Sequence, residues 1–381
     1  MKKKVKKKVA VIITKLELGG AQKVAIALCE KMNKELFEPF MICGCDGILS
    51  DEVKQKNKVY FVKDLIREIN PIKDLKAAIS IYKILKKEKP DVIHTHSSKA
   101  GILGRLCGRL ARVPVIIHTT HGFSFNDTQS FFKKNLFIFL EKFCAVFSTY
   151  LIFISKENID KGIKNKIGKR DKYKFIRLGI DIDNFRNFNK PSLKEELNLS
   201  KDDVVVTTIG PFKPQKNLPD FIKVANEISK EHKNFKFVMV GDGTLRPEFE
   251  SLIEKYNIKE NIFLLGWRRD IANILHSSDF FVMTSLWEGL PISTIEAMTC
   301  GLAPIVNAVD GQKEIVKDGI NGFLIPPYAI DKTCSKILYL AGNPDIKAKM
   351  EQAAKETIDE TYGIDYMIKQ HELLYDTLKK R

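Results

Sequence analysis

The chain comprises 381 residues, of which 44% are hydrophobic, and carries a formal net charge of +16. This length and apolar content indicate a globular protein with two domains, since one ordinary core does not extend over so many residues. The longest apolar region, residues 135–155, contains Glu141 and Lys142 and is therefore expected not to span a membrane. The basic start, MKKKVKKKVAVIITKLE, lacks the small-residue cleavage site of a signal peptide, so export is not expected.

Strands and helices alternate along the first half of the chain. Residues 9–13 form an apolar run that predicts a strand, and residues 21–32 have the periodicity of an amphipathic helix after a turn over 15–20. Further helices are predicted over 71–87, 100–110 and 131–147, and further strands over 92–94, 115–118 and 151–154. This alternation is typical of a parallel sheet with helices on both faces.

A second unit of the same kind begins at Val204, where VVVTTI predicts a buried strand before the loop GPFKPQKN and a helix from Leu218. Strands are also predicted over 235–240, over 262–265 and up to Thr284. The polar segment RLGIDIDNFRNFNKPS separates the halves. It predicts domains over residues 1–188 and 189–364, and a last helix, 365–381, that folds back on the first domain. Ligands of doubly wound sheets bind outside the carboxyl ends of the strands, so the predicted active site is the cleft between the domains.

The stretch WEGLPISTIEAMTCG combines an anion site with two carboxylates. Pro291 suits the first turn of a helix, which leaves the amides of Ile292 and Ser293 free to bind an anion. Glu288 lies just before this helix and Glu296 about one turn inside it. Hydrogen-bond acceptors beside a phosphate site suggest a ligand with sugar hydroxyls.

Lysines and glycines follow the first strand of each half. Lys213 and Lys216 lie in the loop where a nucleotide diphosphate requires positive charge, and Lys216 is the preferred phosphate clamp. Gly19 and Gly20 occupy the matching loop of the first half, where the absence of side chains permits close approach of a ligand. Taken alone, the two lysines are also explained as solvated loop residues, and the two glycines as an ordinary turn. The GDG at residues 241–243 is likewise explained by a turn.

Four of the seven histidines fall between residues 94 and 121, at the ends of two predicted strands. A metal cluster is the less favoured interpretation, because the turn residue Asp127 is the only carboxylate or thiolate nearby. His94 is interpreted as a satisfied core histidine. His121 is placed to reach a ligand at the end of its strand.

Seven cysteines are scattered through apolar segments, an odd number that argues against a disulfide framework. They are expected to be reduced, buried thiols of a cytoplasmic protein. Cys43 and Cys45 form a CxC pair, which is interpreted as two core residues because no second pair completes a metal site.

The basic charge is concentrated in the first half. Residues 1–190 contain 39 Lys and Arg against 19 Asp and Glu, while residues 191–381 contain 24 against 28. A phosphate-bearing substrate or an acidic membrane surface is the expected partner. Nucleic acid is not expected, because no nucleic-acid-binding motif is present.

Two predicted helices of the first half have surfaces for which membrane contact is an alternative to a solvated or a buried face. On the helix over 71–87, a solvated stripe is favoured over membrane contact for the residues Lys73, Lys76, Lys83 and Lys87. The apolar face of the same helix is predicted to consist of Ile72, Leu75, Ile79 and Tyr82. The Phe-rich helix over 131–147 is expected to pack in the core.

With seven residues between them, Glu288 and Glu296 resemble the E-x7-E signature of family 4 glycosyltransferases, retaining enzymes of the GT-B fold. Other segments resemble motifs of that family in the same order and together cover nearly the whole chain. They are ITKLELGGAQ, HTHSSKAGILGRL, TTHGFSF, IRLGIDIDNF, GPFKPQKN, VGDGTLRPEFE, LGWRRDI and VDGQKEIVKDGINGFLIPP. The resemblance implies two Rossmann-like α/β domains, each a doubly wound parallel sheet, with an interdomain cleft.

The resemblance also implies a role for each matching residue. Glu296 is expected to hold the ribose hydroxyls of the donor, Glu288 the donor sugar and Lys216 the diphosphate. His121 resembles the histidine that reaches the transferred sugar, and with Glu288 and Lys216 it forms the expected catalytic set. The other implied donor-site residues are Gly19, Gly20, Gly210, Lys213, Gly241, Trp267, Arg268, Gly289, Leu290 and Ile292. The family usually has Arg immediately after the glycine at position 210, where this chain has Pro211, and Lys213 is expected to substitute for it.

The activity implied is transfer of a sugar, with retained configuration and without a metal or other cofactor, from a UDP-hexose or UDP-N-acetylhexosamine. The acceptor implied is a glycan, free or linked to a polyprenyl diphosphate, at the inner face of the membrane in capsule or exopolysaccharide biosynthesis. The acceptor-facing loops are expected to include Ser97, Ser98, Lys99 and Arg105. Two alternatives stay open: a UDP-sugar 2-epimerase, which shares the architecture, and a non-catalytic sugar-nucleotide binder.

Overall fold

The computed structural model describes residues 6–56, 58–125, 129–188 and 191–377. These residues divide into two units, one formed by residues up to Gly179 together with those from Ile364, the other by residues 180–363. The boundary between Gly179 and Ile180 therefore lies earlier than the predicted domain boundary near residue 188. The reason is a backbone hydrogen bond, 2.9 Å long, from the N–H of Ile180 to the carbonyl of Tyr362, which ties this segment to the end of the second unit.

The first unit contains a seven-stranded sheet in which all paired strands are parallel. Its strands are β1 (Lys7–Ile13), β2 (Phe37–Cys43), β3 (Val59–Phe61), β4 (Val92–His96), β5 (Val115–Thr120), β6 (Tyr150–Phe153) and β7 (Tyr173–Phe175). Their order is β3-β2-β1-β4-β5-β6-β7. The direction of winding reverses between β1 and β4, which is where doubly wound sheets bind ligands.

Helices follow most strands of the first unit. They are α1 (Gly20–Lys31), α2 (Ser50–Lys56), α3 (Pro71–Glu88), α4 (Ser98–Leu110), α5 (Phe131–Phe147) and α6 (Lys156–Lys164). α3 and α4 pack on the sheet face that presents Ile12 and Ile93. α4 also packs between α3 and α5, so these three helices form one layer.

The second unit contains a six-stranded parallel sheet of order β10-β9-β8-β11-β12-β13. Its strands are β8 (Val204–Ile209), β9 (Phe235–Val240), β10 (Ile262–Gly266), β11 (Phe280–Met283), β12 (Pro304–Asn307) and β13 (Phe323–Ile325). Its helices are α7 (Ile182–Arg186), α8 (Leu193–Glu196), α9 (Leu218–Glu231), α10 (Arg246–Lys255), α11 (Ile271–His276), α12 (Ile292–Thr299), α13 (Gln312–Ile315), α14 (Ile330–Ala341) and α15 (Pro344–Thr357). The switch point of this sheet lies between β8 and β11.

The last helix, α16 (Ile364–Thr377), packs on the first unit. The buried hydroxyl of Tyr375 lies 2.5 Å from Nδ1 of His94, and the ring of Tyr375 contacts Phe37 edge to face. His94 and Ile93 point to opposite faces of β4, so helices cover both faces of this sheet.

The predicted fold class, two parallel α/β sheets, is confirmed. Every strand predicted from the sequence is present, with ends that differ by one or two residues. The sheets contain five further strands, of which β3, β7 and β13 have three residues each and are too short for a periodicity to reveal. Among the described helices, none combines the length and the apolar content that crossing a bilayer requires.

The predicted core face of α3 is wrong. α3 turns Ala77, Ile81 and Leu85 toward the sheet, and leaves Ile72 and Leu75 70% and 64% exposed. The helix carries two apolar stripes, and periodicity does not determine which of them packs against the sheet. The Phe-rich helix α5 packs in the core through Ile138 and Ala145, as predicted, but exposes most of its phenylalanines.

The seven cysteines are all free thiols. Burial raises the pKa of the Cys29 and Cys43 thiols to about 12, as expected for unreactive core residues. Cys45, which was predicted to be buried, is exposed because it follows the end of β2.

Candidate functional site

An ion pair between Lys216 and Glu288 lies at the switch point of the second sheet. Lys216 ends the short 3-10 turn Pro214–Lys216 that follows β8, and Glu288 lies in the loop between β11 and α12. The ammonium Nζ of Lys216 donates to Oε1 of Glu288 at 2.6 Å, and the two side chains are only 11% and 7% exposed. The structure thus brings together the predicted phosphate clamp and the predicted sugar contact.

The two loops that carry this pair are fixed by hydrogen bonds to their backbones. The side-chain amide of Gln215 donates to the carbonyl of Trp287 at 2.8 Å and to Oε2 of Glu288 at 3.4 Å. The backbone N–H of Glu288 donates to Asp310 at 2.7 Å, and the hydroxyl of Thr284 donates to the carbonyl of Lys216 at 3.0 Å. No role was predicted for Gln215, Thr284 and Asp310. Gln215 and Asp310 lie within the quoted motifs GPFKPQKN and VDGQKEIVKDGINGFLIPP, and Thr284 directly follows β11.

In the helix that follows Glu288, Pro291 lies one residue earlier than predicted, just before the first turn. α12 begins at Ile292, Pro291 occupies its N-cap, and no side chain caps its first turn. Its backbone amides therefore carry the partial positive charge of a helix N-terminus. Glu296 lies in α12 and is 3% exposed, and Leu290 is buried in the preceding loop. Gly289 lies so close to Gly311 that a Cβ at position 311 would come within 2.0 Å of the Gly289 carbonyl oxygen.

Gly210 and Gly241 permit the close contact of the β8 and β9 loops. A Cβ at position 210 would lie 2.7 Å from Cε of Lys216. Gly241 has φ +135°, and a Cβ there would lie 2.0 Å from the carbonyl oxygen of Gly210. Only glycine fits the conformation and spacing at position 241, and Gly210 leaves room for the Lys216 side chain.

Arg268, predicted near the nucleotide base, is held by two carboxylates. Its guanidinium donates to Glu196 at 2.6 Å and to Asp270 at 2.7 Å, and these hydrogen bonds raise the pKa of Arg268. The Arg268 side chain is therefore occupied by carboxylates of the protein itself, and the backbone of Trp267 and Arg268 directly follows β10. Lys213 precedes the 3-10 turn, and its N–H donates to the Pro211 carbonyl at 2.8 Å.

In the first unit, the predicted residues also lie at the carboxyl ends of strands. Gly19 is the N-cap of α1 and Gly20 its first residue, in the connection after β1. His121 directly follows β5. The structure thus places the predicted glycine loop beside the switch point of its sheet.

The histidines of the first unit lie close together, and two of them are hydrogen-bonded to each other. His96 Nδ1 and His121 Nε2 lie 2.9 Å apart. His94 is buried between Tyr375 and Thr119, at 2.5 Å and 2.6 Å, so its interpretation as a satisfied core histidine is confirmed. His118 points to the other face of the sheet. Within the described ranges, no group of three potential ligands is arranged to hold a metal ion, and Asp127 lies outside those ranges.

One hydrogen bond joins the rings of His96 and His121. Burial lowers the pKa of His121 to about 3 and that of His96 well below its usual range, so both rings are neutral near pH 7. In a neutral pair, one ring nitrogen donates and the other accepts. Nε2 of His121 is engaged in this pair, whereas Nδ1 of His121 and Nε2 of His96 are buried and have no hydrogen-bond partner among the described residues.

Arg105 and Lys99, predicted in acceptor-facing loops, belong to the scaffold of α4. Arg105 is fully buried and donates to Glu141 of α5 at 2.8 Å. Lys99 donates to Asp74 of α3 at 2.5 Å. A helix layer over an apolar sheet buries such long side chains only when they are paired, which explains why both face inward.

Comparison with known proteins gives the following similarities. The sequence profile described as Glycosyltransferase Family 4 matches residues 18–184, and the one described as Glycosyl transferases group 1 matches residues 189–357. The UDP-Gal:alpha-D-GlcNAc-diphosphoundecaprenol alpha-1,3-galactosyltransferase of Escherichia coli is 41% identical over 319 residues, 82% of each chain. The N,N'-diacetylbacillosaminyl-diphospho-undecaprenol alpha-1,3-N-acetylgalactosaminyltransferase of Campylobacter jejuni is 27% identical over 346 residues, 87% of this chain and 90% of that one.

Among solved structures, Anabaena HepE in complex with UDP and glucose superposes with a TM-score of 0.85 at 19% identity, over 98% of this chain and 100% of that one. At this identity the similarity supports the fold alone.

Proposed function

The chain belongs to glycosyltransferase family 4, and from that premise we propose that it transfers a sugar from a UDP-sugar to a lipid-linked acceptor, with retained configuration and without a metal. The observation that carries the proposal is the Lys216–Glu288 pair, 2.6 Å long and nearly buried at the switch point of the second sheet. A UDP-hexose or UDP-N-acetylhexosamine offers a diphosphate for the lysine and hydroxyls for the carboxylate.

The donor is bound by residues of the second unit that already lie together. Lys216 and the amides at the start of α12 bind the diphosphate, and Glu288 accepts hydrogen bonds from the donor sugar. Glu296, buried in α12, accepts from the ribose. Support for UDP comes from the E. coli relative, whose name gives UDP-Gal as its donor.

The chemistry requires stabilisation of a leaving diphosphate. When the bond between the anomeric carbon and the phosphate oxygen breaks, negative charge grows on the diphosphate, where Lys216 and the helix amides stabilise it. The acceptor oxygen bonds to the same face of the anomeric carbon, and its proton passes to the leaving phosphate oxygen. In this proposal Glu288 orients the sugar and does not act as a base, because the leaving phosphate oxygen takes the proton of the acceptor. Because Lys216 supplies the positive charge, no metal is needed.

Residues of the first unit contribute to the same reaction in this proposal. Nδ1 of His121 contacts a hydroxyl of the transferred sugar, and the backbone at Gly19 and Gly20 approaches the phosphates. The acceptor is a glycan on a polyprenyl diphosphate at the inner face of the membrane. Two relatives named for diphospho-undecaprenol substrates support this class, and so does the excess of basic residues in the first half of the chain.

A panel of labelled nucleotide sugars, offered with a short-chain polyprenyl-diphosphate glycan and with or without EDTA, tests the proposal. Release of UDP and an α-linked product in both conditions supports it. A changed sugar still attached to UDP would indicate the 2-epimerase instead, and tight binding without either product would indicate a binder. Loss of activity in EDTA, restored by a divalent cation, would contradict the metal-independent mechanism.

A further inference from the structure

The outer side of α5 carries an apolar stripe. Its exposed members are Phe132 (86%), Leu136 (52%), Phe139 (62%), Phe143 (46%) and Val146 (69%). The spacing of three and four residues places them on one side of a helix that is about 25 Å long. The opposite side packs inward through Ile138, Cys144 and Ala145. On a soluble helix the outer side is normally polar, so this stripe requires a partner.

The neighbouring helices extend the apolar surface. α3 exposes Ile72 and Leu75, with Ile79 47% exposed, and Leu110 at the end of α4 is 69% exposed. Because α4 packs against both α3 and α5, these residues lie on the outer side of one helix layer. We call this surface, from Ile72 to Val146, the outer face of the α3–α5 layer.

The charges that accompany this face are basic. Exposed basic residues of the layer and its end include Lys73, Lys76, Lys83, Lys86, Lys87, Arg109, Arg112, Lys133 and Lys142. The three helices contain only three carboxylates, and each is turned inward and paired. These are Asp74 with Lys99, Glu88 with Lys8 and Lys58, and Glu141 with Arg105. The outward charge of the layer is therefore positive.

We propose that the outer face of the α3–α5 layer docks on the surface of an anionic lipid bilayer, with the α5 phenylalanines at the boundary of headgroups and acyl chains. Aromatic and aliphatic side chains flanked by lysine are the composition with which helices lie in a membrane interface. A second copy of the chain fits less well, since it would bring two sets of basic residues together. The proposal extends the proposed function, because a lipid-linked acceptor is met at a membrane.

Vesicle sedimentation of the full chain tests the proposal, with phosphatidylcholine vesicles that either contain or lack phosphatidylglycerol. The wild type is expected to bind the anionic vesicles and to be released by high salt. Phe132→Ser/Phe139→Ser is expected to lower the partition coefficient at least about tenfold, since two large apolar side chains no longer insert. The matched control is Ile320→Ser/Leu373→Ser, two residues that are 61% and 53% exposed elsewhere, and it is expected to bind like wild type.

The charge contribution is tested by Lys73→Glu/Lys83→Glu, expected to weaken anionic-vesicle binding at least about tenfold. Lys233→Glu/Lys255→Glu changes the net charge equally in the second unit and is expected to have little effect. Equal binding of wild type to neutral vesicles, or wild-type binding by the α5 variant, would overturn the proposal. A dimer in sedimentation velocity that the α5 variant abolishes would assign the face to a second copy.

Two measurements distinguish loss of the docking surface from unfolding of the variant and from failure of the proposed function. The α5 variant is expected to keep the wild-type melting temperature, and a marked decrease would mean that the phenylalanines are packed, which contradicts their exposure. With a detergent-solubilised short-chain acceptor it is expected to keep the wild-type rate. Vesicle binding by a protein that transfers no sugar would contradict the proposed function and leave the docking surface standing.

Discussion

Lys216 and Glu288 show how much of the candidate site depends on single side chains. Seventy-two positions separate them in the sequence, and the ends of β8 and β11 bring them to 2.6 Å. A nearly buried pair of this kind is costly to break unless another charge takes over. A diphosphate that approaches Lys216 supplies that charge, so the pair is suited to exchange a carboxylate for a phosphate.

Removing the Lys216 ammonium is expected to weaken UDP binding. Lys216→Ala loses a charge-assisted hydrogen bond of about 1.5–3 kcal/mol, which corresponds to roughly 10- to 150-fold in Kd by titration calorimetry. Glu296→Ala is expected to weaken UDP binding as well, through the ribose. Lys223→Ala, which removes a half-exposed lysine paired with Asp220 on α9, is the control and is expected to bind like wild type. Unchanged affinity in both site variants would remove these residues from the donor site.

His96 is expected to be a positioning residue for His121, because the two rings share one hydrogen bond of 2.9 Å. Asparagine at position 96 can place an amide near the original Nδ1, whereas leucine offers no polar atom there. We expect His96→Leu to lower kcat roughly 10- to 100-fold with little change in the KM for donor, and His96→Asn to recover most of the loss.

Histidine ¹⁵N spectra of the substrate-free protein give a second readout for the same pair. The ring nitrogens of His121 are expected to show one neutral tautomer in wild type and a mixture in His96→Leu. If the spectrum of His121 is the same in both proteins, His96 does not orient that ring.

At the scale of elements, strand ends and helix faces behave differently. The loops after β8, β9 and β11 meet because neighbouring parallel strands end at the same edge, and glycines at positions 210 and 241 let them approach. In contrast, α3 and α5 each carry two apolar sides, and contact with the sheet and with α4 decides which of them is buried.

Gly241→Ala is expected to disrupt the junction of the β8 and β9 loops. The new Cβ would meet the Gly210 carbonyl oxygen at 2.0 Å in a backbone region reserved for glycine, so a loss of at least about 2 kcal/mol in the free energy of unfolding is expected, with weaker UDP binding. Gly342→Ala is the matched control, since its φ is −82° and the nearest atom lies 3.5 Å away. Equal denaturation midpoints for the two variants would contradict the crowding at Gly241.

At the scale of the whole molecule, the two units differ in their response to acid. Five of the seven histidines belong to the first unit, where burial lowers the pKa of His121 to about 3 and that of His371 to about 4. A buried neutral histidine binds fewer protons in the folded than in the unfolded state. Its contribution to stability is therefore complete above the unfolded pKa of about 6.5, and is lost as the pH falls toward the folded value.

Acid is expected to open the first unit before the second. Between about pH 7 and pH 5, each such histidine costs about 2 kcal/mol, or roughly thirtyfold in the equilibrium for opening. Hydrogen exchange of the full chain, corrected for intrinsic rates, is expected to show loss of protection in β4, β5 and α16, while β8 and β9 stay protected. Uniform loss in both sheets would contradict this assignment.

Much of the architecture was predictable because its signals are local. Alternating apolar runs and amphipathic helices determined two parallel α/β sheets, and the motif WEGLPISTIEAMTCG determined a loop and a helix that carry two glutamates, because both signals lie in neighbouring residues. The tertiary structure decided the rest: the pairing of Lys216 with Glu288 and of His96 with His121, the division at residue 180, and the outward phenylalanines of α5. These features depend on strand order and on which helix side meets the sheet, contacts between distant residues that a periodic pattern does not specify.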